Sequence, residues 1–256
     1  MLELSPELSL WFRRFHQPAD GAPVLVCFPH AGGSASYFYK LSEALAPEID
    51  VLAVQYPGRQ DRRAERCVDN VVTLAEQVVS AILPLRDQRP LTFFGHSMGA
   101  TVGFEVARRL EHSRGLPIER FLVSARCAPS LHRSADIHKR DDDGIIAEIA
   151  RLSGTESALL GDEELLRMVL PSIRNDYKAA ETYAYRPGEP LSSPIVGLCG
   201  DSDPRVSPAD LDGWATHTTA PYTAQTFPGG HFYFGDTPTP LATEIRTHLL
   251  TPALKP

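Results

Sequence analysis

The sequence predicts an α/β protein with a mostly parallel central sheet and helices on both faces. Three observations predict it. Short apolar runs of strand length recur through the chain, and between them lie segments whose apolar residues fall at helical spacing. The runs are continuous rather than alternating, as in strands buried on both faces. The 256 residues suit one large domain of this kind, with ample material for a core.

Taken in order, residues 1–22 hold Trp11-Phe12-Arg13-Arg14-Phe15, too aromatic for a free tail, and end in the turn-like Pro18-Ala19-Asp20-Gly21. They read as an edge strand or a docked arm. Val24 to Phe28 is the first buried strand and breaks at Pro29-His30-Ala31-Gly32-Gly33-Ser34. A helix capped by Ser34 or Ser36 follows, with Phe38, Leu41 and Leu45 inward. Asp50 to Tyr56 is the next strand, stopped by Pro57-Gly58, and Arg59, Arg62, Arg63 and Arg66 crowd the loop beyond. From Asp69 as N-cap, Val71, Leu74, Val78 and Ile82 form a helical stripe that Pro84 ends. Leu91 to Phe94 is a strand, and Ala100, Gly103, Phe104, Ala107 and Leu110 mark the helix behind it. Arg120 to Ala125, Ile195 to Cys199 and Thr223 to Phe227 are the remaining strands, and a helix at about 238–250 closes the chain.

The connection between Ala125 and Ile195 is far longer than an ordinary link. Asp141-Asp142-Asp143 can cap a helix bearing Ile145, Ile146 and Ile149, and Asp162 another with Leu165, Leu166 and Val169. Pro171 restarts or kinks a third with Ile173, Tyr177, Ala180 and Ala184 on one face. Residues 127–190 are therefore read as a helical lid inserted into a core made of residues 1–126 and 191–256.

The formal charge of −7 disfavours nucleic acid and anionic membranes as partners. Lys and Arg number 17 against 19 Asp and Glu in residues 1–150, and 8 against 13 thereafter, so an acidic partner is expected to dock on the first part. Cys27, Cys67, Cys127 and Cys199 show neither C-x-x-C nor zinc-like spacing and read as reduced thiols. With no signal-like N-terminus and no long apolar span, a cytoplasmic protein, expected as a monomer, follows.

Chemistry concentrates where the Leu91–Phe94 strand runs into Gly95-His96-Ser97-Met98-Gly99. A strand, G-x-S-x-G and a helix make a nucleophile elbow, in which a tight turn lifts Ser97 out of the sheet and needs glycine on either side. The N–H of Met98 opens the helix and can donate to an oxyanion, and the N–H of Ala31, after the first buried strand, is the second such donor. A serine needs a base. His231, thrown out by Gly229-Gly230 after the last strand, is the best placed histidine. His16, His112, His132, His138, His217 and His248 read as surface residues, while His96 fills the variable position of the elbow. The orienting acid should lie between serine and histidine, and Cys199-Gly200-Asp201-Ser202-Asp203 offers both Asp201 and Asp203. Ser207-Pro208-Ala209-Asp210 is a capping box that starts a short helix. Neither G-x-x-x-x-G-K-[ST] nor G-x-G-x-x-G is present, which disfavours nucleotide binding.

These motifs together resemble a known family. Phe28-Pro29-His30-Ala31-Gly32-Gly33, Gln55-Tyr56-Pro57-Gly58-Arg59, Gly95 to Gly99, Leu170-Pro171 to Tyr185 with Arg174, Asp176 and Glu181, Gly200 to Asp203 with Val206, and Gly229 to Phe232 are similar to those of the type II (external, editing) thioesterases of polyketide and nonribosomal peptide biosynthesis. The resemblance runs from about Trp11 to His231. It implies an α/β-hydrolase core with a mobile helical lid, a triad of Ser97, Asp203 and His231, with Asp203 chosen over Asp201, and an oxyanion hole from the Ala31 and Met98 amides. It implies no cofactor, since the substrate itself carries the phosphopantetheine, and partners that are acyl or peptidyl carrier proteins. Their acidity calls for a basic landing site, either Arg59, Arg62, Arg63 and Arg66, or Arg133, Lys139 and Arg140. A general carboxylesterase, an acyltransferase and a noncatalytic carrier-binding protein on the same scaffold are the rival expectations.

Overall fold

The computed structural model describes residues 4–86, 89–131, 135–153 and 163–250. In chain order it contains α1 (Pro6–Trp11), β1 (Phe12–Arg13), β2 (Val24–Phe28), α2 (Tyr39–Leu45), β3 (Asp50–Val54), α3 (Val71–Arg86), β4 (Leu91–His96), α4 (Met98–Arg114), β5 (Arg120–Ser124), α5 (Asp142–Ser153), α6 (Glu163–Glu181), β6 (Ile195–Gly200), α7 (Pro208–Asp212), β7 (Tyr222–Phe227) and α8 (Thr239–Leu250), besides short 3-10 turns.

All residues of β2, β3, β4 and β6 are buried, as their unbroken apolar runs require. Their side chains alternate between two cores. Val24, Val26 and Phe28 pack with α3 and α4 on one face, while Leu25 and Cys27 pack with α2 and α8 on the other. The seven strands run in the order β1-β3-β2-β4-β5-β6-β7, with β1 antiparallel to β3 and every other pair parallel. β4 is thus central, and the loops at the carboxyl ends of β2, β4, β6 and β7 meet at one edge, where a parallel sheet places its ligands.

The edge strand expected near the start forms over two residues, paired with Val54 and Ala53, and a short helix, α1, precedes it. Several local expectations are corrected. Asn70, not Asp69, caps α3, its Oδ1 accepting the Thr73 N–H at 3.0 Å, because Asp69 is drawn to Lys178 at 2.6 Å. Pro84 lies inside the last turns of α3 and Pro171 inside a continuous α6. Ser34 precedes a 3-10 turn rather than capping α2 with its side chain. The Asp141 cap on Gly144 and the Ser207/Asp210 capping box form as expected. Asp162, His132 and Arg133 lie outside the described residues.

α5, α6 and the 3-10 turn at Ile137–Lys139 build a third, smaller cluster from Ile137, Ile145, Leu170, Ile173 and Tyr177. α6 also reaches the main core, through Ala179 and Ala180. No described helix is long and apolar enough to cross a membrane. All four cysteines are free thiols.

Candidate active site

β4 ends in the turn that the glycines permit. Ser97 has φ 54° and ψ −119°, a backbone state that costs energy for any residue with a side chain. A Cβ on Gly95 would lie 2.5 Å from the Ala100 Cα, and one on Gly99 2.0 Å from the Phe28 carbonyl oxygen. Both glycines are therefore steric requirements. The close approach at Gly99 also packs the start of α4 against the loop after β2, so the amides of Met98 and Ala31 belong to neighbouring pieces of backbone. The Gly33 N–H donates to the His30 carbonyl at 2.9 Å and closes the turn that carries Ala31. Met98 sits in the first turn of α4, where amides have no intrahelical acceptor and the helix dipole is positive.

His231 Nε2 lies 3.0 Å from Ser97 Oγ, and His231 Nδ1 lies 2.8 Å from Asp203 Oδ2. The His231 side chain is 2% exposed and that of Asp203 0%. The other Asp203 oxygen accepts the Arg205 N–H at 2.8 Å, which fixes the carboxylate. Asp201 faces solvent instead, its Oδ1 accepting from the Gly229 N–H at 3.1 Å and from Ser202 Oγ at 2.8 Å. The structure thus brings together Ser97, Asp203 and His231, three groups whose neighbours in sequence lie far apart, and gives Asp201 the role of fastening two loops.

The family model for the thioesterase domain matches residues 23–249. The chain belongs to the thioesterase family. It is 50% identical over 247 residues to the thioesterase PikA5 of Streptomyces venezuelae, covering 96% of this chain and 88% of that one. Among solved structures, the type II thioesterase BorB from the borrelidin biosynthetic cluster superposes with a TM-score of 0.87 at 48% identity, over 94% of this chain and 98% of that one. YbtT, the type II thioesterase from the yersiniabactin NRPS/PKS biosynthetic pathway, does so with a TM-score of 0.81 at 31% identity, over 94% and 98%. The fold is that of the α/β-hydrolase thioesterases, and the protein is a thioester hydrolase.

In this thioesterase Ser97 and His231 open into a cavity of about 430 Å³, walled by Ala125, Arg126, Arg205 and Val206 from the sheet side and by Ile137, Arg140, Glu148 and Arg151 from the α5 region. Glu148, 4% exposed, organises that wall. Arg205 Nη2 donates to it at 2.6 Å and Arg151 Nη2 at 2.7 Å. Burial works against the Glu148 charge, and the two guanidiniums outweigh it, holding the carboxyl below its ordinary range.

Beneath Ser97 runs a chain that the sequence reading missed. His96 Nδ1 lies 2.9 Å from Ser124 Oγ, which lies 2.9 Å from the Tyr233 hydroxyl, and Ser124 O also accepts the Ser97 N–H at 2.8 Å. His96 is fully buried; burial first, then the nearby His231 and His30, push its pKa well below the ordinary value, so it is a neutral prop. Nothing in the sequence near His96 signals this, since its partners come from β5 and from the loop after β7. His217, read as a surface residue, is also buried, bonds to Ser130 Oγ at 2.9 Å and is pushed down to about 4, chiefly by burial.

The first of the two expected basic patches is corrected. Arg59 is 6% and Arg62 4% exposed. Arg59 pairs with Asp176 on α6, while Arg62 stacks on Trp11 at 4.1 Å and forks onto Glu65 at 2.7 and 2.6 Å. Only Arg63 and Arg66 of that run face solvent. Of the second patch, Lys139 and Arg140 are exposed, and Arg140 lines the cavity. Arg174 and Glu181 have structural duties. Arg174 donates to the His138 carbonyl at 2.9 Å, and Glu181 accepts from the amides of Ile137 and His138 at 2.9 and 3.0 Å, so both clamp the 135–142 stretch onto α6.

Proposed function

We propose that this thioesterase removes acyl groups, chiefly short aberrant or stalled ones, from the phosphopantetheine arms of acyl or peptidyl carrier proteins in polyketide or nonribosomal peptide assembly, working as a cytoplasmic monomer. The observation that carries the reading is the Ser97–His231–Asp203 relay, with spacings of 3.0 and 2.8 Å, at the floor of the cavity. His231 Nε2 takes the Ser97 proton as Oγ bonds to the thioester carbonyl carbon, and Asp203 holds the imidazole tautomer and stabilises the imidazolium. The oxyanion accepts from the Met98 and Ala31 amides. The C–S bond breaks, the sulfur takes the proton from His231, and the acyl group remains on Ser97. Water then gives a proton to His231 Nε2 and its oxygen to the acyl carbon, and Ser97 leaves with that proton as the free acid departs.

The 135–140 stretch and α5 supply one wall of the cavity and the sheet edge the other, which supports residues 127–190 as a lid over a core of residues 1–126 and 191–256. Arg140, Arg151 and Arg205 at the mouth suit an arm that carries a phosphate and a carrier that is acidic, so the second basic patch, with Lys139 and Arg140, is the landing site of choice.

The test compares wild type with Ser97→Ala on propionyl groups loaded on a carrier-protein arm, with p-nitrophenyl propionate in parallel. Serine-dependent release favouring the carrier thioester is expected. Release confined to the oxygen ester would make the protein a general esterase, transfer to added alcohol or amine in preference to water an acyltransferase, and turnover unchanged by Ser97→Ala would remove the triad.

A further inference from the structure

Asp176 is a buried carboxylate that the mechanism above leaves without a task. It lies on α6, is 1% exposed, and its Oδ2 accepts the Gly32 N–H at 2.7 Å while pairing with Arg59 Nη2. Gly32 is the residue after Ala31. The same helix covers that glycine one turn earlier: a Cβ on Gly32, whose φ is +78°, would lie 2.6 Å from Ile173 Cγ1. Arg59 is itself fixed, its Nη1 donating to the Pro57 carbonyl at 2.5 Å. Burial opposes the charge on Arg59, and the neighbouring Asp176 carboxylate outweighs it, so the guanidinium stays charged.

The loop has a second anchor of a different kind. Gln55 Oε1 accepts the Ala35 N–H at 2.9 Å, and its Nε2 donates to the Arg59 carbonyl at 3.1 Å. The core therefore holds the loop beyond Gly33, and α6 holds it at Gly32. The peptide planes on either side of Ala31 meet at its Cα. Holding the Gly32 amide leaves only two torsions through which the Ala31 N–H can turn.

We propose that Asp176 is the positioning residue of the oxyanion hole: by binding the Gly32 amide from α6 it aims the Ala31 N–H, so that this donor is in place only while α6 is seated on the loop. The inference rests on the reading of Ala31 as an oxyanion donor and deepens it, since it ties catalysis to the position of a helix that also clamps the stretch bearing Ile137 and Arg140 of the cavity wall. Asn175 Nδ2 bonding to the Val68 carbonyl at 3.0 Å and Lys178 pairing with Asp69 at 2.6 Å show how firmly that seat is made. Neither touches the loop of Ala31, and that separates their role from that of Asp176.

The experiment measures kcat and KM on propionyl-N-acetylcysteamine and inhibition by butylboronic acid, whose serine adduct places an oxygen in the oxyanion hole. The variants are Asp176→Ala, Asp176→Asn, and Asp176→Ala combined with Arg59→Met, which removes the stranded guanidinium in case the single variant does not fold. The expected result is a 10- to 100-fold loss of kcat in the double variant, with KM within about twofold and boronate binding weakened by the same factor, because a misaimed donor is felt mainly in the transition state. Asp176→Asn keeps an acceptor for Gly32 and is expected within about fivefold of wild type. A soluble, cooperatively melting double variant with wild-type kcat overturns the inference, as does an Asp176→Asn loss as large as that of alanine. Ser97→Ala run alongside separates the two levels: if it is dead while the double variant is unimpaired, only the role of Asp176 falls, and if it turns over normally both readings fall.

Discussion

Replacing Asp203 by asparagine, and separately Asp201 by asparagine, sets against each other the two carboxylates that the sequence left open. Asp203 Oδ1 accepts from the Arg205 amide and Oδ2 from His231 Nδ1 at 2.8 Å. Asparagine can keep the first bond through its carbonyl, which turns its NH₂ toward Nδ1. His231 Nδ1 must then accept, the proton moves to Nε2, and Nε2 can no longer take the proton of Ser97, 3.0 Å away. The wrong tautomer costs a serine–histidine–aspartate enzyme about 10⁴ in kcat, or about 5.4 kcal/mol of barrier. Asp201 has only its bonds to Gly229 N–H and Ser202 Oγ in exposed loops, so Asp201→Asn is expected within about fivefold of wild type. The assay is single-turnover release of a radiolabelled propionyl group from a carrier protein, with thermal melts to show that both variants are folded. An Asp203→Asn rate within tenfold of wild type, or an equal loss in Asp201→Asn, would refute the assignment.

Two further outcomes bear on the scaffold. Gly99→Ala puts a methyl group 2.0 Å from the Phe28 carbonyl, whereas Gly230→Ala meets nothing within 4 Å; the first should lower Tm by about 6–12 °C, from about 3 kcal/mol of overpacking, and the second by less than about 2 °C, and equal shifts would contradict the packing of the elbow. Glu148, held below its ordinary value near 4.5, stabilises the fold fully above that pH and progressively less as pH falls through its lower folded value. The Tm deficit of Glu148→Gln should therefore be largest at neutral pH and shrink below about pH 4, and a deficit independent of pH would show that the charge is not what matters.

Five of the seven strands were legible because a parallel sheet covered on both faces demands unbroken apolar runs, β7, exposed from Thr223 to Thr226, by its place before the Pro228-Gly229-Gly230 turn, and the elbow because its two glycines answer to steric demands within a few residues. The edge strand β1 was less so, since two residues carry no periodicity. Asp203 could be separated from Asp201 only by likeness to a family, because both sit in the same turn and the deciding contact comes from His231, beyond another strand. The fate of Arg59 and Arg62 was illegible for a similar reason. A run of arginines reads as a solvated face, and what buries these two is Asp176 on α6, far along the chain, and the ring of Trp11 before the first buried strand. Local steric rules leave a mark in the sequence; pairings made by tertiary packing leave none.

α6 is one rigid rod with two allegiances. Ile173 and Tyr177 belong to the small cluster, while Ala179 and Ala180 belong to the main core. The free energy that keeps residues 135–153 and 163–177 folded is thus partly separate from the free energy that keeps the sheet folded, and the two meet along α6 and at the Arg205–Glu148 pair. Such a partition lets the substrate-facing half be recut by mutation, with new chain lengths or polarities admitted, while the strands and the serine elbow retain their stability. The molecule is divided, energetically, into a part free to diversify and a part that is not.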